Sequence, residues 1–276
     1  MASYEELEAE ALAAPFSGWD FSWLARRSST EPLPWSYRRE VARYAGSAGS
    51  AGSAGSAAAT LDIGTGGGEV LSRLLSLLES GSGSRPARVV ATEAWPPNVP
   101  VAAARLRPLG IPVVQNEDPP DNTSPDGSGG RLPFRDGAFG LVINRHEAFR
   151  ATEVSRVLAP GGAFVTQQVD FSSYEGLYGL LGRTAPAQRD SWLPLARQQV
   201  ADAGLRVVTA TGGEEIERFD DVAAVIYYLR MISWAIPGYS LPAYRERLRA
   251  AWADRSRWPV INKQRRFLLV AERDGG

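Results

Sequence analysis

At 276 residues, 44% hydrophobic and 22% charged, the chain has the composition of a globular protein and the length for one large α/β domain or two small ones. Its 30 basic and 31 acidic residues leave a net charge of −1, which excludes a general pull toward nucleic acid or an anionic membrane. With no cysteine, disulfides, thiolate zinc sites and a cysteine nucleophile are excluded as well.

The acidic start has no basic stretch before an apolar core, so no signal peptide is expected. No apolar run reaches about 18 residues. No membrane span is expected, and the cytoplasm is the expected compartment. Residues 1–44 read as a helical, aromatic-rich cap: Tyr4–Ala14 favours helix, Pro32 and Pro34 break the segment, and a second helix follows at about Tyr37–Tyr44. Residues 45–59 repeat Ala-Gly-Ser and read as a flexible linker.

From residue 60 to 276, short apolar runs alternate with helical stretches. The pattern predicts strands at 60–63, 88–93, 112–115, 139–144, 163–169, 205–211 and 267–272. It predicts helices at 69–78, 98–109 and 152–158, and within 172–182 and 186–203. A polar loop insertion covers 119–131, and an aromatic-rich late helical lid covers about 214–262. Alternation of this kind implies an α/β fold: a doubly wound, seven-stranded, mostly parallel sheet with helices on both faces. In such sheets the ligand sits beyond the carboxyl ends of the strands. The loops after Ile63, Thr92, Gln115 and Asn144 should therefore surround one crevice.

The glycine loop Asp62-Ile63-Gly64-Thr65-Gly66-Gly67-Gly68 follows a strand and opens a helix. Glycine allows positive φ and close approach of a ligand to backbone, and the helix start presents free N–H groups. A dinucleotide fingerprint would place its third glycine where Glu69 stands. The acidic start, Asp62, suits a ligand bearing an ammonium group instead. Glu93 ends the next strand, where a carboxylate accepts both hydroxyls of a ribose. Ala94 and Trp95 are placed to flank an adenine.

Four segments now carry a family resemblance. They are 61–68, Ala91-Thr92-Glu93, Leu132-Pro133-Phe134-Arg135-Asp136-Gly137-Ala138-Phe139, and Glu153-Val154-Ser155-Arg156-Val157-Leu158-Ala159-Pro160-Gly161-Gly162. In this order they resemble class I SAM-dependent methyltransferases, in the branch like those of ubiquinone and menaquinone biosynthesis. The resemblance implies a Rossmann-like fold and S-adenosylmethionine as cofactor. It implies that Asp62, Gly64 and Gly66, in a loop that also holds Thr65 and Gly68, line the methionine moiety. It gives Glu93 the ribose, Glu117 or Asp118 the adenine amine, and Asn144 with Arg145 the methionine end and the transferable methyl. The family usually has Phe-Asp before the fourth strand, whereas Gly140 follows Phe139 here.

Methyl transfer from a sulfonium is an in-line displacement, so no metal is required; the protein supplies orientation and desolvation. His146, the only histidine, lies two residues past Asn144, either as a base or as a structural hydrogen-bonding group. Glu147 is a weaker alternative. Trp19, Trp23, Trp35, Tyr37, Tyr228 and Trp234 are the candidates for an apolar acceptor pocket, against a reading as ordinary packing. The arginines between Arg245 and Arg257 read as a solvated helix face. The expected partner is a small-molecule acceptor, with neither nucleic acid nor membrane. The competing readings are an rRNA or tRNA base methyltransferase and a non-catalytic cofactor-binding protein.

Overall fold

A computed structural model describes residues 2–16, 18–47, 59–80, 86–117, 130–172, 174–187 and 190–275. Most of the expected linker at 45–59, most of the insertion at 119–131 and Asp118 lie outside them. In chain order the elements are α1 (Tyr4–Ala13), β1 (Ser28–Glu31), α2 (Tyr37–Ser47), β2 (Ala59–Ile63), α3 (Glu69–Ser80), β3 (Arg88–Glu93), α4 (Asn98–Leu106), β4 (Val113–Gln115) and β5 (Phe139–Arg145). There follow α5 (Ala151–Val157), β6 (Leu158–Ser172), α6 (Glu175–Leu180), α7 (Leu193–Asp202), β7 (Arg206–Phe219), α8 (Val222–Met231), α9 (Leu241–Ala253) and β8 (Val260–Glu272).

Among the described residues eight strands, not the seven expected, form the sheet in the order β1-β7-β8-β6-β5-β2-β3-β4. The additional one is β1, which pairs antiparallel with the end of β7, Ser28 opposite Phe219. β2 pairs in parallel with β3 and β5, β3 with β4, and β5 with β6.

The chain divides into two compact units. One consists of Trp35–Asp170, Ser191–Gly212 and Phe267–Gly276. Strand alternation in this unit feeds two apolar layers. Leu141 and Ile143 join Val41, Leu71, Leu74 and Leu75, from α2 and α3, on one face. Val142 and Phe164 join Val154, Val157, Ala196 and Val200, from α5 and α7, on the other. Phe139 belongs to the second layer although simple alternation from Ile143 would place it in the first. The register shift between Phe139 and Leu141 explains it, because one inserted residue turns the side chains before it to the opposite face. Gly140 sits at that bulge, where the family motif would place its aspartate.

The remaining resemblance motifs are structural. Arg156 on α5 donates to Glu153 Oε2 at 2.6 Å, to Asp136 Oδ1 at 2.8 Å, and to the carbonyls of Phe134 at 2.7 Å and Leu132 at 2.9 Å. One planar guanidinium thus fastens the 132–137 segment to the helix.

The other unit consists of Met1–Pro34, Phe171–Asp190 and Gly213–Arg266. α1 starts on a capping box, with the Ser3 hydroxyl accepting from the Glu6 N–H and Glu6 accepting from the Ser3 N–H. α8 is capped by Asp221 and is buried almost all round. The late lid expected at about 214–262 therefore starts and ends as strand, since β7 runs on to Phe219 and β8 begins at Val260.

Candidate active site

β2 and β3 end side by side, and the glycine loop turns between them. Thr65 N–H donates to the Thr92 carbonyl at 2.8 Å, and Gly66 N–H donates to Glu93 Oε2 at 2.7 Å. The other oxygen of Glu93 accepts from Trp95 N–H at 3.0 Å. One carboxylate thus fixes both the loop and the turn after β3. Gly64 has φ +68°, and a Cβ there would lie 2.2 Å from Glu147 Cγ. Only glycine fits. Glu147 therefore lies directly against the loop.

Three acids share this corner, and each is pushed up. Burial raises Asp62 from 3.8 to about 7; the Thr65 hydroxyl works against the rise, and the charge of Glu93 adds to it. Burial raises Glu93, its two backbone donors oppose that, and the charge of Glu147 adds to it. Glu147 is raised by burial too. Crowded, desolvated carboxylates of this kind gain from a cationic ligand.

Asn144 is fully buried, and its side chain works inside the sheet. Its Nδ2 donates to the Ile63 carbonyl at 3.2 Å. Its Oδ1 accepts from the Thr166 hydroxyl at 2.8 Å and from Gln168 Nε2 at 2.5 Å. The side chain expected to approach the methionine end is instead a brace from the ends of β2 and β5 to the middle of β6. Gln168 also donates to the Glu147 carbonyl at 3.0 Å, holding the turn beyond β5. That turn carries His146 at φ +60°, a left-handed conformation a non-glycine residue adopts only when its surroundings impose it.

Gln167 fixes the histidine. The indole N–H of Trp35 can only donate, and it donates to Gln167 Oε1 at 2.9 Å. The amide orientation follows, so Gln167 Nε2 is the donor toward His146 Nε2 at 3.2 Å. Neutral His146 therefore carries its proton on Nδ1. Thr166, Gln167 and Gln168 were not among the sequence candidates; the signal was three polar residues in a row within an otherwise apolar strand.

Glu117 is exposed and engages through its carbonyl, which accepts from Gly130 N–H and from Asn116 Nδ2, both at 3.1 Å. Asn116 stands closer to the site, since its N–H donates to the Glu93 carbonyl at 3.1 Å. Ala94 is half-buried and Trp95 exposed. Tyr37 is buried, which raises its hydroxyl above the usual range; the charge of Asp62 adds to the rise and that of Arg145 opposes it. It stands with the loop acid and under α3, so the expected role in an acceptor pocket gives way to a place beside Asp62.

Of the aromatic candidates, Trp35 and Tyr37 belong to this unit and the other four to the other unit. Those four fall into three separate contacts. Trp19 meets Trp234 edge to face at 5.3 Å. Trp23 packs on Tyr227 at 4.8 Å with the Arg27 guanidinium over its ring. Tyr228 lies between Phe219 and Phe21, at 4.8 and 5.9 Å. Among the described residues there is no cluster of metal-ligating side chains, and no helix is long and apolar enough to cross a membrane.

No curated protein matches the chain by sequence. A candidate methyltransferase from Bacillus halodurans shares the fold, with 16% identity and a TM-score of 0.50 over 78% of this chain and 92% of that one. The YcgJ protein from Bacillus subtilis aligns over 79% of this chain and 92% of its own, with 16% identity and a TM-score of 0.46. Residues 61–166 match the family model described as a methyltransferase domain. That stretch contains the glycine loop, Glu93, the bulged strand and the turn at His146 and Glu147. Residues 61–166 are similar to a methyltransferase domain, and the acids around the glycine loop lie within that stretch.

Proposed function

We propose that the protein is a SAM-dependent methyltransferase that methylates a small apolar or aromatic metabolite in the cytoplasm. In this reading the unit containing the glycine loop takes the cofactor. The motif order supports the branch like those of ubiquinone and menaquinone biosynthesis. The observation that carries the proposal is the group of three carboxylates beside the glycine loop, Asp62 and Glu93 buried and Glu147 half-buried. S-adenosylmethionine fits it, because it brings an ammonium and a sulfonium to a corner where negative charge is crowded. Glu93 already accepts two backbone N–H groups, yet each carboxylate oxygen has a further lone pair for a ribose hydroxyl. Asp62 faces the ammonium, and Thr65, Gly66 and Gly68 supply backbone at the start of α3.

When bound, the cofactor supplies a methyl group already activated on sulfur. The chain's own part is to orient, exclude water and hold protons in place. His146 acts as a hydrogen-bond donor through Nδ1; with Nε2 accepting from Gln167, it takes up a proton only by giving up that bond.

Calorimetry with S-adenosylhomocysteine, followed by labelled-methyl transfer to a metabolite library, tests the proposal. Saturable binding and a labelled product are expected. Absence of binding overturns the reading, and binding without product in the library or in cell extract turns it into the non-catalytic alternative. His146→Ala is expected to slow turnover less than about tenfold, with cofactor affinity and the pH profile unchanged. A base would cost about a hundredfold or more and remove a limb of that profile.

A further inference from the structure

β8 breaks the pattern that its surroundings demand. Alternation turns Val260, Asn262, Gln264 and Arg266 to one face, and all four are buried. Apart from Glu8 on α1, the buried residues packed around this face are mainly apolar, from Leu7 on α1 to Tyr227 on α8. Inward positions there call for apolar side chains, and three successive polar ones are an exception that needs a reason. β7 contributes Glu215 and Glu217, two residues apart and so on one face.

Most of this group satisfies itself. Arg266 pairs with Glu215 through two nitrogens, at 2.6 and 2.5 Å from Oε2, and donates to Gln264 Oε1 at 3.0 Å. Gln264 Nε2 reaches Glu217 Oε2 at 2.5 Å and the Tyr228 hydroxyl at 2.9 Å. Asn262 Nδ2 donates to the same Glu217 oxygen at 3.3 Å. Two requirements are left over. Glu217 has two amides and a hydroxyl around it, while the nearby Arg266 guanidinium pairs directly with Glu215 and only partly offsets the charge of Glu217. Asn262 Oδ1, on a residue that is fully buried, accepts no hydrogen bond. A buried acceptor without a donor is costly unless a ligand supplies one.

We propose that Glu217, Asn262 and Tyr228 form a binding site for the ammonium group of a small aromatic or apolar amine. An ammonium carries three donors and one positive charge. It meets both requirements at once, donating to the free Oδ1 of Asn262 and pairing with the Glu217 carboxylate. A hydroxyl would meet only the first. Tyr228 presents a ring to the cation, and Phe219 and Phe21 beside it are the apolar surface for the rest of the ligand. Burial holds the Glu217 carboxyl above its usual range, and the charge of Glu215 adds to the rise. The site stands apart from the methyl-transfer reading, since its ligand needs no cofactor to bind.

The test is calorimetric titration of the whole chain with 2-phenylethylamine and with 2-phenylethanol, which differ only in the polar group. The amine is expected to bind at least about tenfold more tightly, the worth of one charge-assisted hydrogen bond. In Glu217→Gln, which keeps the shape and removes the charge, the two probes are expected to bind within about twofold of each other. Thermal unfolding of that variant at or above the wild-type midpoint shows that the fold is intact, because a desolvated charge has been removed. Equal binding of the two probes by the wild type, discrimination that survives in Glu217→Gln, or no saturable binding of the amine at millimolar concentration overturns the site. None of these outcomes touches S-adenosylhomocysteine binding, so failure here is distinct from failure of the proposed function.

Discussion

Glu93→Gln is expected to weaken S-adenosylhomocysteine binding by about two orders of magnitude, although it changes a single atom. Each oxygen of Glu93 accepts a backbone N–H, from Gly66 on one side and Trp95 on the other. Glutamine has only one oxygen, so whichever way its amide turns, an NH2 faces one of those N–H groups. A buried donor left without an acceptor costs about 1–3 kcal/mol, and the lost charged bond to a ribose hydroxyl is worth about 1.5–3 kcal/mol. A combined loss of about 3 kcal/mol is roughly a hundredfold in affinity. Calorimetry reads it directly. A dissociation constant within about threefold of wild type would show that Glu93 holds the loop but touches no ligand. Glu93→Asp separates the two contributions, because it keeps the charge while drawing the carboxylate back from both N–H groups.

The glycine loop, Glu93 and the alternation of strands and helices were legible because local chemistry dictates them. A strand-ending Asp62, glycines at positive φ and a helix beginning at Glu69 lie within eight residues of each other, and no distant contact is needed to read them. β1 shows the opposite case. Ser28-Ser29-Thr30-Glu31 has no apolar alternation, and it is a strand only because β7, nearly two hundred residues later, offers a partner. The ends of β7 and β8 were hidden for a related reason. Glu215, Glu217, Asn262, Gln264 and Arg266 make a strand's inward face from polar residues, which a hydrophobic pattern reads as loop or lid.

The site was legible to the level of position, not of orientation. Asn144 near the end of β5 and His146 just after it stand where the sequence pattern requires, yet the roles of their side chains depend on residues of other strands. Asn144 turns into the sheet because Ile63, Thr166 and Gln168 present one donor-hungry carbonyl and two donors there. The tautomer of His146 depends on Trp35, more than a hundred residues earlier, through the amide of Gln167. The sequence shows Trp35 only as one aromatic among many. Its indole N–H, which cannot accept, sets the orientation of the whole chain of hydrogen bonds.

Asp62 should make both stability and cofactor affinity depend on pH, with opposite slopes. Its carboxyl is raised to about 7 in the folded protein from 3.8, chiefly by burial. Between those values the folded chain holds a proton that the unfolded chain has lost. Stability is therefore greatest below about pH 4, falls as pH rises toward 7, and is level above it. A ligand ammonium favours the ionised carboxylate, so binding below pH 7 must expel the proton. Affinity for S-adenosylhomocysteine should then rise up to about tenfold per pH unit to pH 7 and flatten beyond. Glu93 titrates with Asp62 through their mutual repulsion, which spreads the step without changing its sign. Asp62→Asn removes the charge and keeps the shape. It is expected to bind the ligand more weakly at pH 8, with little pH dependence, while its unfolding midpoint rises by several degrees at that pH. The rise follows because each unit of pKa is about 1.4 kcal/mol and each kcal/mol moves the midpoint of a chain this size by about 2–4 °C. Titrations in buffers of different ionisation enthalpy count the expelled proton. An affinity slope that persists unchanged in Asp62→Asn would assign the proton to Glu93 or Glu147 and remove Asp62 from the ammonium site.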